Sequence, residues 1–190
     1  MSTYLTRAEW AVDYVKNTAR IKTGNRFEAI NREQVEKTQT NQTVAAVREF
    51  SKKTFPTINP KGPLTEVFLR AQVAKFRLCG NCTEQSAIAF DYLYHQRNER
   101  GMAWVSFPNH DHMFTVLGLQ VQPPKQEVFR IGFGPPASWS ATAVVCDPWY
   151  QEWFAVATDW DRKIRHILRE TSGGPVAHGT QCIVECRAYA

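Results

Sequence analysis

Apolar positions follow two patterns along the chain, and the pattern changes near residue 100. Before that point they recur every three or four residues. Trp10, Tyr14 and Val15, with Ala11 alongside, share one helical face, and Thr6-Arg7-Ala8-Glu9 ahead of them has the spacing of a capping box. Residues 27–53 are polar with a weaker apolar stripe and predict one or two further helices. FPTINPKGP (55–63), with three prolines and a glycine, reads as a linker. PLTEVFLRAQVAKFR (63–77) restarts the helical pattern with Pro63 in its first turn. In TEQSAIAFDYLYHQR (83–97), Ala87, Phe90 and Tyr94, and also Ile88 and Tyr92, stand at helical offsets. That helix would begin at Cys82.

Beyond residue 101 the apolar residues come as short β-branched and aromatic runs bounded by Pro, Gly or Asn. MAWVSF (102–107), HMFTVLGLQV (112–121), EVFRIGF (127–133), TAVVCD (142–147) and EWFAVA (152–157) read as strands. DRKIRHILRE (161–170) predicts a late helix, and QCIVECRAYA a final strand. Helices followed by a helix leading into an antiparallel sheet predict an α+β fold. The division expected is a helical N-terminal region (1–62) and a core (63–190), compact enough together to form one domain.

Composition narrows the classes of function. A chain of 190 residues, 43% hydrophobic, suits one well-buried core. The net charge of +5 comes from basic residues scattered through both halves, so it predicts no nucleic-acid partner. No apolar run reaches the roughly 18–20 residues that span a bilayer. The first twenty residues lack the apolar core of a signal peptide. Five cysteines, three of them in strongly apolar surroundings, read as reduced thiols in a cytosolic setting. Export into a target cell without a cleaved signal stays open. No cofactor is implied.

Three residues carry candidate chemistry. Cys82 in RLCGNCTEQS (77–86) opens a helix, where unpaired backbone N–H groups and the helix dipole favour a thiolate and can receive charge on a carbonyl oxygen. Taken alone it is equally well an inert buried cysteine. In FPNHDHMFTVLG, His110 and His112 share strand parity; His112 is continuous with the apolar run and better placed as a base, whereas His110 reads as a surface histidine. Asp147 in TAVVCDPWYQEW ends an apolar strand and needs a partner, for which an imidazole N–H is suited, or else it caps the turn at Pro148. Together, in this order, the three supply the nucleophile, base and orienting acid of a cysteine hydrolase.

GNCTEQSAIAFDYL, DHMFTVLG and VVCDPWY resemble the motif blocks of papain-like and transglutaminase-like cysteine enzymes, most closely the small bacterial effector toxins that act as thiol proteases or glutamine deamidases. The resemblance covers residues 76–157. It implies a papain-like core with a nucleophile helix packed on an antiparallel sheet, Cys82 as nucleophile, His112 as base, Asp147 as orienting acid and a protein as substrate. Transglutaminase-type acyl transfer is the variant with an amine in place of water. One departure is plain: the position where papain carries its oxyanion glutamine is Phe76 here. Gln72, Asn81 and Trp149 are the candidates for oxyanion or substrate-positioning roles.

Rival readings use the same cysteines. Cys79 and Cys82 with Cys182 and Cys186 would make a four-thiolate zinc module, although the second pair lies in an apolar strand rather than on a tight turn. Cys79-Gly80-Asn81-Cys82 matches a redox dithiol in letters, but that fold places a strand before the first cysteine, where 63–77 reads as helix. A catalytically inactive interaction module on the same fold is the third. Under the hydrolase reading Cys79 packs or lines the turn.

Overall fold

The computed structural model describes residues 3–22, 42–46, 48–49, 53 and 62–190. Of the helices expected in 27–53, residues 42–46 and 48–49 are helical. The remainder of that stretch, and the linker through residue 61, lie outside the described residues apart from the helical Lys53.

Helix α1 (Thr3–Asp13) runs into a π-helical turn, Tyr14–Thr18. Helices α2 (Pro63–Arg77) and α3 (Cys82–Gln96) follow. Then come β1 (Ala103–Phe107), β2 (His112–Leu117), β3 (Gln126–Arg130), β4 (Val144–Asp147) and β5 (Glu152–Ala155). Helix α4 (Val156–Ser172) and strand β6 (Gln181–Tyr189) complete the chain. The six strands form one sheet in the order β3-β6-β1-β2-β4-β5, every neighbour antiparallel. The class is α+β.

Both faces of the sheet are covered, which is why every residue of β1 is buried. Trp104, Leu117, Val144 and Cys146 face α1, α2 and α3 in a first core that includes Ala11, Ala71 and Phe90. Val105, Phe114, Val116 and Val145, at the alternate positions, face Trp160, Ile164 and Ile167 of α4 in a second. Among the described residues no helix is long and apolar enough to cross a membrane.

Two helix starts differ from expectation for the same physical reason. Helix α1 begins at Thr3, so Thr6 is an interior residue and does not cap. Tyr4 and Leu5 pack on the first core, and Arg7 pairs with the buried Glu99, so tertiary contacts draw the start forward. Helix α4 begins at Val156 rather than Asp161, because Val156, Trp160, Ile164 and Ile167 make one buried stripe. The run EWFAVA therefore stops being strand at Ala155.

The chain between α2 and α3 is pinned from the N-terminus. Leu78, exposed and left-handed at φ 53°, ends α2 and turns the chain. Lys22 N–H then donates to Leu78 O (3.0 Å) and Gly80 N–H to Lys22 O (2.9 Å). Segment 3–22 thus fixes the turn from which Cys82 projects.

Candidate active site

Cys82 is the first residue of α3 and Asn81 its N-cap. The Asn81 side chain accepts the Glu84 N–H while Glu84 Oε2 accepts the Asn81 N–H (3.0 Å), a reciprocal capping box. Gln85 adds a second clasp, its Nε2 donating to Gly80 O at 3.0 Å. The N–H groups of Cys82 and Thr83, the first two of the helix, have no acceptor within it.

Gly80 is required by packing: a Cβ there would lie 2.3 Å from the Glu84 Cβ. Gly80→Ala is accordingly expected to cost about 1–3 kcal/mol of stability, the usual range for forced overpacking. Urea unfolding reads this directly, and an unchanged midpoint would show that the turn relaxes without cost.

His112 is the first residue of β2, and Asp147 the last of β4. These strands pair Thr115 with Cys146. Continuing that register sets Asp147 opposite Phe114, two residues from His112 on the same face, within diagonal reach. His112 Nε2 donates to Asp147 Oδ2 at 2.6 Å, and both side chains are buried, at 1% and 0% exposure. Asp147 Oδ1 accepts the Tyr150 N–H (3.2 Å), so this carboxylate both orients the ring and caps the turn after Pro148. His112 Nδ1 is buried without a hydrogen-bond partner.

Cys82 is buried, its thiol donates to Asp111 O at 3.5 Å, and its charge acts on this ring. Asp111 is left-handed (φ 43°), which swings its carbonyl toward the helix start just before the chain enters β2. Burial pushes the His112 imidazole down more than any other single influence. The charge and hydrogen bond of Asp147, with the charge of Cys82, outweigh it together and hold the ring up to about 10. His112 therefore carries a proton through the neutral range.

The structure separates the other candidates. His110 sits in the 3-10 turn Pro108–His110, with its Nδ1 2.7 Å from Ser172 Oγ, and burial lowers its pKa. Gln72 is corrected: its Nε2 donates to Asp91 Oδ2 (3.3 Å), nine residues beyond Cys82. At about 1.5 Å rise per residue, that point is too far along α3 to serve the sulfur. The side chain of Asn81 is engaged in the capping box. Trp149, half-buried, tilts over the His112 ring at 5.6 Å, with Tyr150 on the same ring at 5.4 Å.

Neither dithiol reading gains a site. Cys79 packs with Val44 and Val73, and Cys182 lies in the second core. Among the described residues no three His, Cys, Asp or Glu side chains are grouped to hold a metal ion. The Cys79 thiol is pushed up by burial and by Glu84, the reverse of an activated redox thiol. It is preceded by helix α2 rather than a strand.

One group escaped sequence reasoning. Glu84 is wholly buried two residues past Cys82, and receives Arg48 Nε on Oε1 (3.2 Å), Arg48 Nη2 on Oε2 (3.5 Å) and Arg70 Nη1 on Oε1 (3.6 Å). The Asn-x-x-Glu spacing of Asn81 and Glu84 was the available signal; the arginines, 36 and 14 residues upstream, carried none.

A scan against protein-family models finds no match for this chain, and a search of curated proteins finds none either.

Proposed function

We propose that the protein is a cysteine-dependent amide hydrolase in which Cys82 is the nucleophile, His112 the acid–base and Asp147 the group that orients the ring. The observation that carries this reading is the placement of His112. One ring nitrogen is bound to a buried carboxylate, the other is buried without a hydrogen-bond partner, and the ring lies within the charge influence of Cys82 at a helix start. A cationic ring beside the sulfur is the electrostatic condition for a thiolate–imidazolium pair.

In the first step the thiolate adds to an amide carbonyl, forming a C–S bond as the π electrons move onto oxygen. Collapse of that adduct breaks the C–N bond, and His112 gives its proton to the leaving nitrogen. This leaves a thioester and a neutral imidazole. Water then attacks the thioester, its proton goes to His112, and the acid product departs as the thiolate is restored. The free N–H groups of Cys82 and Thr83 point the helix's positive end at the oxygen that gains charge.

A papain-like or transglutaminase-like core is supported by the placement of the parts: a cysteine opening a helix that packs on an antiparallel sheet, a histidine entering one strand, and an aspartate leaving its neighbour. The reaction is glutamine deamidation or limited proteolysis of one protein partner, as the resemblance implies. The resemblance to bacterial effector enzymes points to a toxin acting on a protein of a target cell.

Intact mass spectrometry of candidate proteins incubated with the enzyme, with Cys82→Ala protein as the blank, tests this reading. A gain of about one mass unit identifies deamidation through an acyl-enzyme. Fragments identify proteolysis, and addition of a supplied amine identifies acyl transfer. A Cys82→Ala protein that modified substrates, or poisoned target cells, as well as wild type would overturn the reading.

A further inference from the structure

The oxyanion role left open by Phe76 has a candidate that the sequence did not offer. Gln72 is committed to Asp91, and the side chain of Asn81 to the N-cap. Arg48 reaches the same turn of α3 from the helical residues 42–46 and 48–49, which Val44 seats against Cys79. Its Nε and one Nη2 hydrogen are taken by Glu84, which leaves three of the five guanidinium N–H groups unassigned. The side chain is 38% exposed, so it is anchored at one edge and accessible at the other.

We propose that Arg48, held on Glu84, is the further catalytic residue that receives the negative oxygen of the substrate carbonyl as Cys82 attacks. This rests on the hydrolase reading above. Glu84 fixes both the Asn81 N–H that sets the nucleophile turn and the guanidinium beside it, so one carboxylate registers donor against nucleophile. Partial burial pulls the Arg48 pKa down, but the charges of Glu84, Cys82 and Asp111 hold it above its ordinary value. Arg48 therefore lies within electrostatic reach of Cys82 as well as on its anchor. A guanidinium also offers what a glutamine amide does not, a full charge that strengthens as oxygen becomes anionic.

Paired alkylating reagents test the proposal without a known substrate. Iodoacetate and iodoacetamide both form a C–S bond at Cys82 with loss of iodide. They share access and differ in charge, so the ratio of their rates reports a cation at the sulfur. Rates at Cys82 would be read by peptide mass spectrometry at low salt. Arg48→Met is expected to lower the iodoacetate-to-iodoacetamide ratio about tenfold, as removal of a close charge should. Arg48→Lys, which keeps the charge, should hold most of it, and thermal unfolding of both variants identifies any that fail to fold.

An Arg48 whose charge does not reach the sulfur would leave the ratio the same in all three proteins, and that result overturns the proposal. A His112→Ala control separates this from the reading beneath it. If Cys82 alkylation is independent of His112, or no faster than at half-buried Cys186, the hydrolase reading fails and Arg48 with it. If the His112 dependence holds while the ratio stays flat, only Arg48 is excluded.

Discussion

Asp147→Asn is expected to slow acylation at Cys82 by about 10³–10⁴-fold, the scale set when an orienting acid is lost and the ring takes the wrong tautomer. The two oxygens of Asp147 accept two N–H groups, His112 Nε2 and Tyr150 N. Asparagine offers one oxygen. If it stays with Tyr150, its amide N–H faces Nε2 and drives the ring proton to Nδ1 beside the sulfur. The larger of the charges opposing burial is also gone, so the imidazole falls well below about 10. The imidazolium is then weakened, and iodoacetamide labelling of Cys82 at neutral pH should fall.

Stability should change its pH dependence in the same variant. In the wild type the folded pKa lies above the ordinary value, so the contribution of His112 is fully present below about pH 6.5. It is lost as pH rises through about 10. In Asp147→Asn the ring is buried neutral, and the sign reverses: the urea midpoint should hold steady above pH 7 and fall as the solution is acidified. Identical profiles for the two proteins would mean that Asp147 does not hold the proton on His112.

Much of this arrangement was legible because it follows from local rules. Strand ends marked by Pro108 and Pro148 placed His112 and Asp147 at the mouths of apolar runs, and adjacent antiparallel strands then bring them to one edge. A cysteine immediately before a helical pattern had to lie at the helix start. Gln72 was misread because its role depended on where α2 stops. The helix continues to Arg77 and the left-handed Leu78 turns it, which leaves Gln72 facing Asp91 across the helix pair. Arg48 and Arg70 were invisible because their partner is set by three-dimensional packing of segments far apart in sequence. Thr6 failed as a cap because Tyr4 and Leu5 had core to bury, and buried apolar area outweighs a capping bond of about 1 kcal/mol.

Glu84→Ala should destabilise the protein by about 3–5 kcal/mol, the range for breaking a buried ion pair by removing one partner. For a chain of this size that is a fall in Tm of roughly 10 °C. The reason is concentration of roles. Glu84 is 0% exposed and serves the Asn81 N–H, Arg48 and Arg70 at once. Its loss removes the side chain that accepts the N-cap amide, and takes a carboxylate from Arg70, which also holds Glu66 at 3.0 Å. Glu84→Gln divides these effects, since an amide oxygen can still accept the Asn81 N–H while the charge is gone. If the cap dominates, the glutamine variant should recover most of the lost stability in urea unfolding. If the ion pairs dominate, it should resemble alanine. Either way both variants should slow iodoacetate labelling of Cys82, because the carboxylate that steadies the turn also holds Arg48 against it. A Glu84→Ala protein as stable as wild type would show that the arginines and the turn are held by other contacts, and that this carboxylate is not the link between the fold and its nucleophile.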